Sequence, residues 1–390
     1  MRLDQPVTVP GRGRDHARKP ARKMSIVGGS QYGGYMSLAE SPASENLPLV
    51  NTPAPPAPGI AANHLQETVL PVRPALIDRG SAARMKPGML DVLVASGSAR
   101  AVVLSGRQAL VDGDSLVLLD AAELADHLRN TAYAPEQLIY LGSALPGSDL
   151  EAGTQLVLFL LPRQFEVQAE EFEAHIAGIP VGAQWAGFRD VAARLNPTDT
   201  ALFIEASAIA NWHASHSHCP RCGTATRPEA GGWVRRCPAD SSEHYPRTDP
   251  AIIVTVVGAD DRLLLGGGGP LDARNYSTLA GFVEPGESLE QAVVREIGEE
   301  VGVRVTASQY LGSQPWPFPA SLMLGFTATT ADTETTPDGV EVTRARWFSR
   351  SELQEAVLSG EIVISSRLSI ARSLIEHWYG GIILDRPETE

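Results

Sequence analysis

Residues 281–303, GFVEPGESLEQAVVREIGEEVGV, place Glu287, Arg295, Glu296, Glu299 and Glu300 on a loop and a short run of helical periodicity. Ser288, followed three positions later by Gln291, is a capping-box pattern, so the spacing predicts a helix from about Leu289, closed by Gly302. Leu289, Val293, Ile297 and Val301 recur at every fourth position and form one apolar stripe. Glu296, Glu299 and Glu300 share the arc beside it. Like charges three and four places apart on a helix repel, so a cation is expected among them. Hard carboxylate oxygens gathered in this way suit Mg²⁺ or Mn²⁺, which takes a few carboxylates and completes its shell with water and substrate phosphate. Gly281 and Gly286 permit tight turns before the helix, and Glu287 lies within reach of Arg295. Taken alone, such a helix could equally present a solvated charged face.

The pattern around this run alternates. AIIVTVVG (251–258), RLLLGG (262–267), YSTLAGF (276–282), QYLGSQPWPF (309–318), SLMLGFTATT (321–330) and EVTRARWF (341–348) read as strands. SRSELQEAVLSG (349–360) and SRLSIARSLIEHWYG (366–380) read as helices. The prediction is an α/β fold, a mixed sheet sandwiched by helices, over residues 247–382. Upstream, ARAVVLSGRQALV (99–111), SLVLLD (115–120) and TQLVLFLLP (154–162) read as strands. EFEAHIAGI (171–179) and WAGFRDVAARL (185–195) read as helical fragments, and NPTDTALFIEASAIANWHASH (196–216) as a longer helix with Pro197 at its start. Residues 66–212 therefore form an α+β supporting domain, in which no catalytic constellation stands out.

Composition sets the bounds. With 390 residues, 43% hydrophobic and 20% charged, the chain has material for two or three globular domains. A net charge of −14 argues against general binding to nucleic acid or anionic membrane, so positive charge for a phosphate substrate must be supplied locally. Cys219, Cys222 and Cys237 are the only cysteines. Three cannot pair completely, and Cys-x-x-Cys in such a chain points to a metal and a reducing, cytoplasmic setting. The segment 213–246 is thus a small zinc-ribbon-like unit. Residues 1–65, rich in Pro, Ala, Gly and Ser, read as a disordered extension whose basic start lacks the apolar core of a secretory signal. No apolar run reaches the roughly 18 residues of a membrane span. Gly266–Gly269 lacks the Gly-Lys-Ser/Thr of a phosphate loop and reads as a hairpin. In SQPWPFPAS (313–321), Pro315, Pro317 and Pro319 preset the backbone, while Trp316 and Phe318 are either buried aromatics or flat faces for a base or a nicotinamide ring.

The spacing of Gly281, Glu287, Arg295-Glu296-Ile297, Glu299-Glu300 and Gly302-Val303 resembles, position for position, the signature of the Nudix hydrolases. With SQPWPF shortly after it, YPRTDPAIIV (245–254) before it and a cysteine ribbon further upstream, the chain is similar to the NADH pyrophosphatase subfamily, which includes enzymes that remove NAD caps from RNA 5′ ends. The resemblance covers roughly residues 85–380 and is strongest from 217 onward. It implies metal-dependent cleavage of the pyrophosphate of NADH or NAD⁺ to NMN(H) and AMP, with NAD-capped RNA as a further substrate. Glu296 and Glu300 would be the main Mg²⁺ or Mn²⁺ ligands, with Glu299 ligating or acting on the water, and either Glu299 or Glu300 would assist proton removal. Glu341 would ligate from outside the helix and Ala280 through its carbonyl, while Arg295 and Glu287 complete the catalytic set. Phe282 would stack on the nicotinamide, and Tyr245 would contact substrate from the partner subunit of a homodimer. Gln314, Pro315, Trp316, Pro317, Phe318, Pro319, Ala320 and Ser321 would line the pocket, Ala371 would contribute its backbone, and Arg189 would reach in from the N-terminal domain.

The ribbon departs from the family at one place. Where a fourth cysteine is expected, this chain has Asp240. Zn²⁺ held by Cys219, Cys222, Cys237 and Asp240 is one reading; His244 as the fourth ligand, or a ribbon that has lost its metal and rests on packing around Trp233, are the others. His216 and His218 lie on the wrong side of the first knuckle. The rival functions are hydrolysis of another nucleoside diphosphate such as ADP-ribose, and a non-catalytic module that senses a nucleotide.

Overall fold

A computed structural model describes residues 77–129, 137–162, 176, 178–268 and 273–387, all within one compact unit of the chain. The expected extension 1–65 and residues 171–175 and 177 of EFEAHIAGI lie outside these residues.

The first sheet comprises β1 (Ile77–Asp78), β2 (Ala99–Ser105), β3 (Gln108–Asp112), β4 (Ser115–Leu116), β5 (Leu119–Asp120), β6 (Gln137–Ala144), β7 (Gln155–Leu161) and β8 (Gln184–Gly187). Its path runs β1-β6-β7-β2-β3-β4, with β5 on β2 and β8 on β3. The helices of this half are α1 (Met89–Ala95), α2 (Ala121–Arg129), α3 (Phe188–Val191) and α4 (Pro197–Ser215). Strand β7 is parallel to β2 and antiparallel to β6, so both its edges are paired. Its alternation divides the core. Leu156, Leu158 and Leu160 pack with Leu202, Phe203 and Trp212 of α4, whereas Val157, Phe159 and Leu161 pack with Val94 of α1 and Leu124 and Leu128 of α2. A strand buried on both faces reads as an unbroken apolar run, as TQLVLFLLP does.

ARAVVLSGRQALV breaks into the hairpin of β2 and β3, and two further segments of this half differ from the sequence expectation. SLVLLD splits into β4 and β5, and Trp185–Gly187 is strand, not helix, paired to β3 with Leu110 opposite Trp185. Pairing to a free sheet edge outweighs the helical pattern there, and the helix starts only at Phe188. Helix α4 forms as predicted. Asn196 caps it by accepting the Asp199 N–H at 2.8 Å, and Pro197 occupies the first turn, where no N–H is needed. The helix is buried on most of its faces, because the first sheet, the ribbon and the 313–321 loop all pack on it.

The ribbon is a three-stranded antiparallel sheet of β9 (Arg227–Glu229), β10 (Val234–Arg236) and β11 (Glu243–His244). Trp233 Nε1 donates to Tyr140 O of β6 at 2.7 Å. His213 of α4 sits between Gly232 O and the Arg235 guanidinium, each at 2.8 Å. Since a carbonyl only accepts and a guanidinium only donates, Nε2 carries the proton.

The second sheet contains β12 (Asp249–Gly258), β13 (Leu263–Gly267), β15 (Leu279–Phe282), β16 (Val305–Trp316), β17 (Ser321–Thr330) and β18 (Arg344–Phe348); β14 (Asn275–Tyr276) pairs separately with β19 (Val363–Ile364). Its order is β16-β17-β12-β13-β18, with β15 on β12, and β12 runs parallel to β17. Ile252, Val254 and Val256 face α5 (Leu289–Val301), against Ala292, Val293, Ile297 and Val301. Ile253, Leu263 and Leu265 face the other side, toward α6 (Arg350–Ser359) and α7 (Ile370–Tyr379). A mixed sheet between helices is the expected α/β arrangement. Helix α7 begins later than the pattern suggested, at Ile370, with Ser369 as its cap. No helix among the described residues is long and apolar enough to cross a membrane.

Candidate active site

The capping box at the start of α5 is present: Gln291 N–H donates to Ser288 Oγ at 3.2 Å, and Ser288 N–H to Gln291 Oε1 at 2.8 Å. Gly302 closes the helix in the left-handed conformation, at φ 69°. Between these ends, Arg295 is the cation among the glutamates. It grips Glu287 with two parallel bonds of 2.8 and 2.9 Å, reaches Phe282 O at 2.9 Å, and touches Glu296 and Glu299 at 2.9 and 3.1 Å. Glu287 also accepts the Glu284 N–H at 3.0 Å. The guanidinium thereby fastens the loop to the helix, and its hydrogen bonds hold the Glu287 carboxyl below its ordinary range.

Arg295 does not reach Glu300. That side chain is buried, and its Oε2 has no hydrogen-bond partner. Burial, then the charges of Glu296, Glu341 and Asp338, push its carboxyl up to about 8. Burial also raises Glu296. Glu341 is brought to this end of the helix by a loop the sequence reading did not identify. Asp338 N–H and Thr336 N–H donate to Glu300 O and Val301 O at 3.0 and 2.8 Å, and the Asp338 carboxylate accepts the N–H groups of Val340, Glu341 and Val342. The Asp-Gly turn at 338–339 was the available signal. Glu299, by contrast, is 64% exposed and tied to Arg295, so Glu296, Glu299 and Glu300 do not share one environment. Close approach explains Gly281: a Cβ there would lie 1.9 Å from Glu296 Cδ. Ala280 sits in β15 opposite Ile253.

Glu296, Glu300 and Glu341 are thus hard oxygen donors that repel one another, one with an unpartnered buried oxygen and none served by more than a single arginine. That donor set fits a divalent cation bound by oxygen.

The ribbon carries a second, tighter set. The ligand atoms of Cys219, Cys222, Cys237 and Asp240 all lie within 4.8 Å of one another. Cys219 Sγ is 3.8 Å from Asp240 Oδ2, and Cys222 Sγ is 3.5 Å from Cys237 Sγ. A tetrahedron with zinc–sulfur arms of about 2.3 Å has edges near ~3.8 Å, so the four fit a structural zinc ion. Asp240 Oδ1 is occupied by Ser242 N–H and Oγ at 3.0 and 2.6 Å, which leaves Oδ2 turned toward the thiols. His244 is bonded to Ser242 Oγ and stands outside the set. Burial opposes ionisation of Cys219, but hydrogen bonds from Ser242 and the Arg221 and Cys222 backbone hold its thiol at about 6.

Register places the start of the aromatic loop relative to Phe282, beside the box. Phe282 pairs with Ala251, Ala251 with Met323, and Met323 with Gln314, forming one row across four strands. Three inter-strand spacings make about 14 Å. In the loop, the rings of Trp316 and Phe318 stand 5.1 Å apart, with Phe188 at 6.4 and 6.0 Å. The Arg189 guanidinium lies 5.4 and 5.0 Å from their centroids. A hollow of about 270 Å³ opens beside them, bounded by Arg189, Trp316, Ser365, Ser366 and Ser369. Gln314 is buried; its Nε2 donates to Leu368 O at 2.7 Å and its Oε1 accepts the Ile370 N–H at 2.8 Å, so it holds the start of α7 in place. Pro317 and Ser321 are buried, Pro315 and Pro319 exposed, and Ala320 half-buried. Ala371 is buried, with its N–H on Ser369 Oγ at 3.2 Å. Phe282 is 57% exposed next to the box, and Tyr245, 61% exposed and bonded to Glu243, opens onto a separate groove of about 710 Å³ between Arg84–Asp91 and the ribbon. Within one chain, Tyr245 and the aromatic loop are therefore not brought together in one hollow.

Comparison with known proteins matches residues 247–365 to the NUDIX domain and residues 214–245 to the NADH pyrophosphatase zinc ribbon domain. The chain is 42% identical, over 217 residues covering 56% of it and 75% of the relative, to the NAD-capped RNA hydrolase NudC of Stutzerimonas stutzeri. It is 35% identical over 291 residues, 72% of this chain and 86% of the relative, to the protein of the same name from Mycobacterium bovis. The NAD-capped RNA hydrolase NUDT12 of Macaca fascicularis is 38% identical over 47% of this chain and 43% of its own length.

Proposed function

Since the chain belongs to the Nudix hydrolases, in the branch that joins the catalytic domain to an NADH-pyrophosphatase zinc ribbon, we propose that it hydrolyses the pyrophosphate of NADH or NAD⁺ to NMN(H) and AMP and removes NAD caps from RNA 5′ ends. One observation carries this reading: Phe282, whose carbonyl Arg295 binds beside the α5 carboxylates, and Gln314, at the start of the platform loop, lie in one row across the same end of the sheet, about 14 Å apart. A dinucleotide can bridge that span with its diphosphate over the carboxylates and a ring at the platform.

Glu296, Glu300 and Glu341 would hold the divalent cation, with the Ala280 carbonyl beside them, and we take it to be Mg²⁺ or Mn²⁺. Such an ion neutralises charge on the diphosphate oxygens and lowers the pKa of bound water. The remaining work falls to the chain. Arg295 keeps Glu296 over Gly281 and locks the preceding loop through Glu287. Glu299, exposed at the rim and held through one oxygen, keeps the other to take a proton from the attacking water. Water adds to one phosphorus, the bridging P–O bond breaks, and the two monophosphates leave. Phe282 and the platform, backed by Arg189, orient the base or nicotinamide ring. Tyr245 would serve the site of the other subunit in a homodimer. Three cysteines grouped as a metal set, not as a disulfide framework, fit a reducing, cytoplasmic setting.

The test is product analysis of the purified chain with NADH, NAD⁺, ADP-ribose and NAD-capped RNA, with Mg²⁺ or Mn²⁺, beside Glu300→Gln. NMN(H) and AMP from the wild type, and a loss on the order of 10³-fold in the variant, are expected. Binding of NADH without products under either metal would leave a nucleotide sensor.

A further inference from the structure

We propose that Asn211, on α4 of the N-terminal half, is a positioning residue for the aromatic loop and thereby sets the preference of the site for substrates that carry a nicotinamide ring; the inference rests on the function proposed above. Prolines at 315, 317 and 319 deprive Gln314–Ser321 of three backbone donors, so the loop cannot satisfy its own carbonyls. Trp316 O receives the Phe318 N–H at 2.7 Å. The carbonyls of Pro317 and Pro319 are both taken by one group, Asn211 Nδ2, at 2.8 and 3.1 Å. These two carbonyls flank Phe318, so the amide fixes the backbone on both sides of that ring. Both amide hydrogens are used in doing so, and Asn211 has none left to donate to a substrate.

The clamp comes from outside the catalytic sheet. Asn211 lies on the same helix whose apolar side carries the first core, and Trp316, Phe318 and Leu368 pack against that core. Phe188 and Arg189, also from the N-terminal half, hold the ring faces. Nothing comparable acts on the carboxylates, which are ordered by Arg295 and Asp338 from within the catalytic domain. Gln314 anchors the loop to α7, but the backbone around Phe318 is held from the N-terminal half, so disturbing Asn211 should affect ring recognition without affecting bond cleavage.

The experiment uses the full chain and two variants. Asn211→Asp keeps the size but sets an acceptor against two carbonyls; Asn211→Ala removes the donors without repulsion. Asn196→Ala is the control, since it uncaps the same helix far from the loop. KM and kcat are measured for NADH and for ADP-ribose, the latter as a competitive inhibitor where it is not cut. NADH binding is followed separately by nicotinamide fluorescence in EDTA. Both Asn211 variants are expected to raise KM and Kd for NADH about tenfold, with kcat and the ADP-ribose constants within about twofold. Asn196→Ala is expected to lower the melting temperature and leave the ratio of the two substrates unchanged. Equal changes for both substrates, or the same selectivity shift in Asn196→Ala, would overturn the positioning role while wild-type NADH cleavage leaves the function standing. A wild type that neither binds nor cuts NADH overturns both.

Discussion

Gly281→Ala separates the chemistry of this site from its fold. The backbone at 281 is not in the left-handed region, so alanine brings no conformational strain of its own. Its Cβ, however, would stand 1.9, 2.1 and 2.4 Å from the three carboxylate atoms of Glu296. Ordinary carbon contacts begin near ~3.5 Å, so the carboxylate must retreat by more than about 1 Å. It is the far end of a flexible side chain, and the retreat costs the fold little: the change in stability should stay within about 1 kcal/mol. Misplacing a reacting group by about 1 Å costs on the order of 10²-fold in rate, equivalent to about 2.7 kcal/mol of barrier. The assay is steady-state NADH hydrolysis across a series of Mg²⁺ concentrations, with a thermal melt of the same preparations. Activity within threefold of wild type would refute the argument, because Glu296 would then not need the position it takes over Gly281. A melting temperature that collapses along with activity would refute it differently, by showing that the glycine serves the fold.

The ribbon and the buried core titrations give two further expectations. Purified wild-type chain should carry close to one zinc per chain by elemental analysis; Asp240→Ala should lose it to a mild chelator, and Asp240→Cys should retain it more tightly than wild type, since thiolate is the better ligand. Burial pulls His213 down to about 4 from 6.5, so its stabilising effect is complete above pH 6.5 and is lost as pH falls toward 4. Burial pushes Glu205 up to about 7 from 4.5, so its effect has the opposite sign, complete below 4.5 and lost as pH rises through 7. The two offset each other in the wild type and must be read as differences. The stability of wild type minus His213→Gln should rise with pH between 4 and 6.5, by up to about 3 kcal/mol, and that of wild type minus Glu205→Gln should fall between 4.5 and 7. Urea unfolding at several pH values checks both.

What was legible in the sequence was whatever local chemistry enforces. Arg295 and its glutamates must be spaced to meet one another across a helix turn and a short loop, so the box declares itself in twenty-three consecutive residues. The cap at Ser288, the stop at Gly302 and the start of α4 at Asn196-Pro197 are equally local, and they stand where the pattern put them. Asp240 as a fourth member of the ribbon set was implied by the family resemblance, with His244 left open; the Ser242 hydrogen bonds turn one Asp240 oxygen toward the thiols. The differing environments of Glu299 and Glu300 were not legible, because helical angle alone does not say which neighbour covers which residue. Trp185 was read as helix because its strand partner, Leu110, lies far away in the chain.

The contacts that sequence could not show share a physical cause. A loop with prolines at 315, 317 and 319 gains rigidity at the cost of donors, and the missing donors have to come from whatever packs on it. Asn211 meets that need from α4, while Gln314, within the loop itself, ties it to the start of α7. Both are amides; Asn211 is half-buried, whereas Gln314 is enclosed, which is tolerable only because its hydrogen bonds are made. The catalytic sheet alone could order its carboxylates but not this loop. A chain cut before Asp249 would keep Arg295, Glu296, Glu300 and Glu341 together while losing Asn211, Phe188 and Arg189 from the platform. On this argument the first sheet, which brings no group to the bond that breaks, is retained because a proline-rich recognition loop needs a wall that can donate.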